Sequence, residues 1–597
     1  MKLASTPESR ASGTRQLRGV LSGPRPQYWQ AIRLSLVTGV LVLAPSWYMF
    51  EVYGRVLNSR NVGTMGWLLL AALCIYVVLE LLELARSRAL RRAAADVNAK
   101  LLPRVFHASF TANLRKLPSG SVQAVSDVKT LADFVHSPAV TGVMDLPSSL
   151  LCLALLYAMN IWVGLLATVL ALLQLGIGWL QHVRGARPYG EANGAQAAAQ
   201  LKASATLRNA QVIEAMGMQH TMFTRWMATQ RRFLGKLSDA SDSASAMGTQ
   251  SKLIGLLMGS LLLGLATWAA LGNSLNGGMA MVIVASILGG RVMAPMAQIV
   301  GQWRQIGGVM SAHTRLAQLL SDVPAPEFQL PLPAPQGHLS VEALTLTPPG
   351  AEAPVLKNVS FFARPGELLT VVGPSAAGKS TLARALIGVW GGQVGKVRLD
   401  GADVYTWPKW ELGAHVGYLS QGVELFDGSV AENIARFGRV DLDKVREAAN
   451  RVGITAMIEA LPEGFDTQIG ADGAVLSGGQ RQRLGLARAI YGSPKFIVLD
   501  EPNASLDEAG DRELQALLKE LKSEKVTIVA ITHRSNLLMA ADRLLVLQDG
   551  AVLQFGTKDE VLNAVKAANE QALRAQAARM VAAQPAQPAL TTQGASA

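Results

Sequence analysis

Four stretches of the first 290 residues contain no Asp, Glu, Lys or Arg, and each is long enough to enter a bilayer. A hydrocarbon core about 30 Å thick takes roughly 20 helical residues at 1.5 Å each. Leu34 to Phe50 and Asn61 to Leu79 each read as one crossing, with Trp47, Tyr48 and Trp67 near their ends where interfacial aromatics collect. Residues 146–183 and Leu253 to Gly290 are 38 residues each, roughly 57 Å as helix. Both therefore read as helical hairpins, with turns predicted near Asn160 and near Gly272, Asn273 and Ser274, where helix breakers cluster. The sum is six crossings. A charged fraction of only 16% agrees with lipid as part of the solvent, since soluble chains average about 25%.

Charge then divides the chain. Residues 1–320 hold 29 Lys and Arg against 12 Asp and Glu, whereas residues 321–597 hold 26 against 31. In the first half the positive residues flank the apolar stretches. Six lie in residues 1–33, nine in 84–139 and nine in 182–252, leaving Arg55 and Arg60 for the opposite side. Cationic residues are retained in the cytoplasm, so the N-terminus is expected inside. The same flanking pattern argues against nucleic acid as a partner. Both inner connections suit helix, which predicts that the helices run on beyond the membrane. Polar, basic residues ahead of the first crossing and no small-residue cleavage site after it argue against a removable signal peptide. Cys74 and Cys152 lie in apolar runs and build no disulfide framework.

Five prolines between Ser321 and His338 exclude regular structure and mark residues 321–338 as a linker. The expected organisation is a cytoplasmic segment over residues 1–30, an all-α membrane domain of six helices over 31–320, the linker, an α/β nucleotide domain over 339–570, and a disordered Ala/Gln/Pro-rich tail over 571–597.

The second half carries the chemistry. An apolar strand, Leu368 to Val372, runs into Gly373, Pro374, Ser375, Ala376, Ala377, Gly378, Lys379, Ser380 and Thr381. This is G-x-x-x-x-G-K-S, the phosphate loop, in its required position between strand and helix. Backbone N–H groups there cradle phosphate, Lys379 reaches the β and γ oxygens, and Ser380 takes Mg²⁺. A second apolar strand from Phe496 ends in Asp500 and Glu501. Asp500 suits the Mg²⁺ shell; Glu501, facing the other way on a strand, suits polarisation of an attacking water. Between them stand Leu476, Ser477, Gly478, Gly479 and Gln480, ahead of an arginine-bearing helix. Two glycines at a helix start let amides approach a γ-phosphate closely.

LSGGQ together with the phosphate loop resembles the nucleotide-binding domain of ABC transporters. The resemblance implies that Gln421 is the glutamine joining Mg²⁺ to the membrane domain, that Ser505 to Asp507 form the D-loop, and that His533 contacts the γ-phosphate. It further implies ATP as nucleotide and a homodimer of twelve helices, in which Ser477 acts on the partner's nucleotide. Pro348 stands where members commonly stack an aromatic on adenine, Ala376 where many have glycine, and Ala471 and Asp472 where a Glu-Arg pair is common.

The membrane half is similar to type I secretion ATPases of the kind that export proteases, lipases and haem-binding proteins. The resemblance rests on Tyr48 to Leu57, on Asp133 to Pro147, on Arg208 to Met218, on Ala294 to Trp303 and on Glu501-Pro502-Asn503. It implies export of an unfolded polypeptide across the bacterial inner membrane, with the nucleotide domain in the cytoplasm and a periplasmic adaptor and an outer-membrane channel as partners. No segment ahead of the first crossing has the size of a peptidase domain, so cargo processing is not expected. The alternative is a homodimeric exporter of lipids or small molecules; an ABC ATPase acting as channel or regulator is a further class. Arg291, inside the sixth crossing, is expected to line a water-filled path together with Gly289, Gly290, Ala285 and Ser286. Glu80, Glu83 and Arg86 are expected to snorkel at the inner interface.

Overall fold

The computed structural model describes residues 7–120, 123–325, 330–470, 473 and 476–567. It divides into two compact units, Met1–Pro326 and Glu327–Ala597. Ala471, Asp472 and the expected disordered tail lie outside the described residues.

The first unit is helical. α1 (Pro7–Leu21) precedes α2 (Arg25–Leu41) and α3 (Ala44–Glu51), a π-helical turn over Val52–Val56 and α4 (Leu57–Ser59). Next come α5 (Val62–Leu114), α6 (Gln123–Val135), α7 (Pro138–Met144), α8 (Leu146–Met159), α9 (Ile161–Arg208), α10 (Ala210–Ala215), α11 (Gln219–Leu271), α12 (Ala280–Gly301) and α13 (Trp303–Asp322). Six helical segments among the described residues are long and apolar enough to cross a membrane, as the charge-free stretches require. α5 and α11 are each 53 residues, about 80 Å, so they extend far past any bilayer. α13 runs two residues into the predicted linker before the prolines stop it.

Both predicted hairpin turns form, and they bind each other. Asn160 caps α9 by accepting from the Trp162 amide, and its side-chain amide donates to the Ser274 carbonyl at 3.0 Å. Asn276 returns the contact by donating to Ala158 O at 2.9 Å. The π-helical turn lies inside the Tyr48–Leu57 segment, and a Glu51–Arg55 ion pair of 3.1 Å spans it. Single π turns commonly mark functional positions in helices.

Two expectations about charged and small residues are corrected. Arg86 does not snorkel: it is 6% exposed, and its guanidinium binds Glu83, Asp145 and the Ser35 hydroxyl. One arginine thereby joins α2, α5 and the start of α8, an arrangement that satisfies a buried cation with fixed acceptors. Gly289, Ala285 and Ser286 do not line a path with Arg291. Ala285 is fully buried, a Cβ on Gly289 would meet Leu262 Cδ1 at 2.2 Å, and Ser286 Oγ donates to Gly259 O on α11. That face of α12 packs into the helical core with Met258, Leu262 and Ala266. The exposed face is instead Gly290, Arg291, Ala294, Ala297 and Gln298, spaced as one helical stripe.

The second unit is α/β. A four-stranded antiparallel sheet has the order β2 (Leu356–Ala363), β1 (Leu339–Leu346), β4 (Val394–Leu399) and β5 (Ala402–Asp403). A six-stranded sheet has the order β10 (Ala551–Thr557), β9 (Arg543–Gln548), β3 (Leu368–Val372), β8 (Thr527–Ile531), β7 (Phe496–Asp500) and β6 (Val416–Leu419). β9, β3, β8, β7 and β6 are mutually parallel, and β10 pairs antiparallel at the edge. β7 and β8 are buried at every residue, as continuous apolar runs in a parallel sheet demand. The helices are α14 (Lys379–Leu386), α15 (Lys409–Leu412), α16 (Val430–Ile434), α17 (Leu442–Arg451), α18 (Thr455–Glu459), α19 (Gly478–Ile490), α20 (Glu508–Ser523) and α21 (Ser535–Ala540).

Candidate nucleotide site

Parallel strands place their carboxyl ends on one edge of the sheet, where ligands of such folds bind. The phosphate loop follows β3, Gln421 follows β6, Asp500 ends β7, and His533 follows β8. Motifs separated by up to 160 residues of sequence are thus neighbours in space.

The loop itself is built by backbone freedom at its ends. Gly378 caps α14 at φ +99°, and a Cβ there would crowd Leu356 and Val355. A Cβ on Gly373 would meet Leu547 O at 2.1 Å. Ala376 holds φ +65°, the left-handed region that costs an L-residue about 1 kcal/mol, which accounts for glycine being common there in similar loops. The Lys379 ammonium donates to Gly373 O at 2.8 Å and Pro374 O at 2.9 Å, so it lies across the loop. Burial pulls the Lys379 pKa below the ordinary lysine value, partly offset by Glu501 and Asp500.

Asp500 is 3% exposed. Burial pushes its carboxyl above the usual range; a hydrogen bond from Ser380 opposes that push, and the Glu501 charge adds to it. Ser380 and Asp500 therefore present adjoining oxygens beside the loop. Gln421 Nε2 donates to Glu501 Oε2 at 3.0 Å, a bond in which its own carbonyl oxygen takes no part. Hydroxyl, carboxylate and amide oxygens form a hard donor set that fits Mg²⁺. Among the described residues no group of three or more His, Cys, Asp or Glu could hold a metal ion.

His533 Nε2 stands 3.7 Å from Glu501 Oε1. Glu501 thus has one carboxylate oxygen toward Gln421 and the other toward His533. Its orientation differs from the simple alternation expected of a strand. Glu501 has already left β7 and sits at φ +52°, a strained conformation of the kind concentrated at functional sites.

Ser477, Gly478, Gly479 and Gln480 form the start of α19. Ser477 Oγ accepts from the Gln480 amide at 3.3 Å, and Gln480 Oε1 accepts from the Ser477 amide at 2.8 Å. This reciprocal capping box fixes the helix start. Gln480 spends its carbonyl on the cap, whereas the hydroxyl hydrogen of Ser477 and the first amides of the helix remain suited to an anion. Two residues to which sequence reasoning gave no role also stand near Glu501. Gln482 binds the Glu501 carbonyl ahead of the D-loop and the Ser505 amide at its start. Asn503 is buried against Asp511 and Thr532. The legible signal for Gln482 is its spacing from Gly485 and Ala489, which puts it on the buried stripe of α19.

The profile of the ABC transporter family matches residues 356–504. Among curated proteins, this chain is 34% identical over 533 residues to the type I secretion system ATP-binding protein PrsD of Rhizobium meliloti (strain 1021), covering 89% of this chain and 91% of that one. It is 28% identical over 518 residues to the ATP-dependent lipid A-core flippase of Xanthomonas axonopodis pv. citri (strain 306), covering 84% and 86% respectively. In fold it is similar to a solved bacterial Atm1-family ABC exporter with ATP bound, at a TM-score of 0.78 and 20% identity over 94% of this chain and 99% of that one.

Proposed function

The chain belongs to the ABC transporters of type I secretion systems, as a multi-pass membrane ATPase with an exporter fold, and from that premise we propose that it exports an unfolded polypeptide across the inner membrane. The observation that carries the reading is similarity along the whole chain: 34% identity over 91% of a type I secretion ATPase, against 28% over 86% of a lipid flippase. The proposal includes a homodimer, a periplasmic adaptor and an outer-membrane channel, with the N-terminus and the nucleotide domain in the cytoplasm. The charge bias of residues 1–33, 84–139 and 182–252 supports that orientation.

The site residues have distinct parts in this proposal. The amides of Gly373 to Ser380 and the Lys379 ammonium bind the phosphates of ATP. Ser380, Asp500 and Gln421 hold Mg²⁺, which when bound neutralises charge on the β and γ oxygens. Glu501 accepts a proton from the attacking water, His533 donates toward the γ-phosphate, and Ser477 with Gly478 and Gly479 closes on the nucleotide of the partner subunit. Oxygen donors beside a buried cationic lysine, at one edge of a parallel sheet, are what transfer of a phosphoryl group to water requires.

The test is secretion in the native host. A chromosomal Glu501→Gln chain should assemble in the membrane yet abolish the appearance of particular polypeptides in the medium. An unchanged set of extracellular polypeptides, with altered lipid distribution between leaflets, would instead support the lipid exporter, the reading that the flippase relative favours.

A further inference from the structure

α19 buries one amide side chain among its apolar contacts. Gln482 is 5% exposed and lies on the face formed by Gly485, Leu486 and Ala489. Its Nε2 donates to the Glu501 carbonyl oxygen at 2.9 Å, and its Oε1 accepts from the Ser505 amide at 2.7 Å. Both ends of the amide are thus used on backbone groups outside any strand or helix, since Glu501 follows β7 and Ser505 precedes α20. Buried groups of that kind need a partner.

The placement matters because of the backbone it serves. Glu501 holds φ +52°, and its amide donates to Ile531 O at 2.9 Å. Its peptide is therefore gripped from β8 on the amide side and from α19 on the carbonyl side. Arg483, the next residue of α19, pairs with Asp507 at 3.0 Å and with Glu513 at 3.3 Å. Consecutive side chains of one helix hold the base of the carboxylate and the D-loop beyond it.

We propose that Gln482 is a positioning residue for ATP hydrolysis, aiming the Glu501 carboxylate by fixing its strained peptide and tying it to the helix that begins at Ser477. This rests on the proposed role of Glu501. Without the amide, the Glu501 carbonyl and the Ser505 N–H lose their shared partner, the peptide relaxes toward a commoner conformation, and the carboxylate swings away from the water while the phosphate loop stays intact.

The test uses purified full-length protein and two variants. Gln482→Leu removes both bonds at similar volume. Gln482→Glu keeps the acceptor for Ser505 but donates to Glu501 O only when the introduced carboxyl is protonated. Gln482→Leu should lower kcat roughly tenfold to a hundredfold, the scale of a misaimed catalytic group, with KM for MgATP and binding of a fluorescent ATP analogue held within about twofold. For Gln482→Glu, the kcat ratio to wild type should rise as pH falls from about 8 to about 6, because burial raises the introduced carboxyl into that window. Wild-type kcat in either variant, or a ratio flat with pH, would overturn the proposal. Should Gln482→Leu fail to fold, the pH ratio of Gln482→Glu decides alone. A separate failure, Glu501→Gln hydrolysing normally, would remove the reading on which the proposal rests.

Discussion

Gln421 and Glu501 meet through one hydrogen bond, Nε2 to Oε2 at 3.0 Å, across the gap between the ends of β6 and β7. The amide restrains one oxygen of the carboxylate, leaving the other within 3.7 Å of His533. Glu501→Gln changes charge but scarcely changes shape, and it leaves Asp500, Ser380 and Lys379 in place. The expected outcome is unchanged MgATP affinity with kcat lowered by about 10² or more, the range for losing a general base. Steady-state hydrolysis with equilibrium nucleotide binding checks it, and near-normal turnover would remove Glu501 from the role.

The environment of Asp500 sets a pH dependence. Its pKa lies above the ordinary aspartate value because of burial and the neighbouring Glu501 charge. A proton on Asp500 competes with Mg²⁺, so the Mg²⁺ needed for half-maximal hydrolysis should rise as pH falls, and should begin to rise above the ordinary aspartate pKa of about 4. Mg²⁺ titrations of hydrolysis at fixed ATP between about pH 5 and pH 7.5 check this. A requirement constant across that window would count against Asp500 as a ligand.

The geometry of Ser477 gives a prediction about stoichiometry. Its side chain accepts from Gln480 within the capping box while the start of α19 stays suited to an anion, and in the proposed homodimer that anion is the partner subunit's nucleotide, so a complete site would need two chains. Mixing Lys379→Ala chains with Ser477→Arg chains should rebuild one site with an intact loop and an intact signature per mixed dimer. ATPase activity of the mixture is expected to exceed that of either variant alone. Activity no higher than the parents, with mixed dimers demonstrated by pull-down and with one site sufficient for turnover, would refute the trans arrangement.

The elements most legible in the sequence are those whose signal is local. Charge-free length fixes the crossings, and the breakers at Asn160 and Gly272 mark the hairpin turns because Asn160 caps α9 through its side chain and Gly272 ends α11, both within a few residues of the turn. Leu368–Val372 and Phe496–Asp500 are readable as strands because both faces of a central parallel strand are buried. Partnerships across long sequence separations are not encoded in any local period. Arg86 meets Asp145 59 residues away, so from its own neighbourhood it looked like an interfacial cation. The spacing of Gln482 from Gly485 and Ala489 puts it on the buried stripe of α19, but only the fold discloses that its backbone partners Glu501 and Ser505 come from beyond β7. The turn at Glu501 is likewise invisible to strand alternation, because a left-handed φ at a non-glycine residue depends on the contacts that hold it.

The last prediction concerns α12. Arg291 shares an exposed stripe with Gly290, Ala294, Ala297 and Gln298, while Leu288, Gly289, Val292 and Met293 are buried on the opposite side. A cation at membrane depth costs at least about 2.5 kcal/mol unless it meets water or a partner, so the face carrying Arg291 should be wet in the assembled protein. Single cysteines introduced along residues 287–298, in a background lacking Cys74 and Cys152, should react with a membrane-impermeant thiol reagent at 290, 291, 294, 297 and 298. Positions 288, 289, 292 and 293 should stay protected. Arg291→Leu should reduce cargo secretion while basal MgATP hydrolysis is retained, since none of the phosphate-site residues lies in the unit that holds α12. Uniform protection along the helix, or normal secretion by Arg291→Leu, would place this arginine against a fixed protein partner rather than on the transport path.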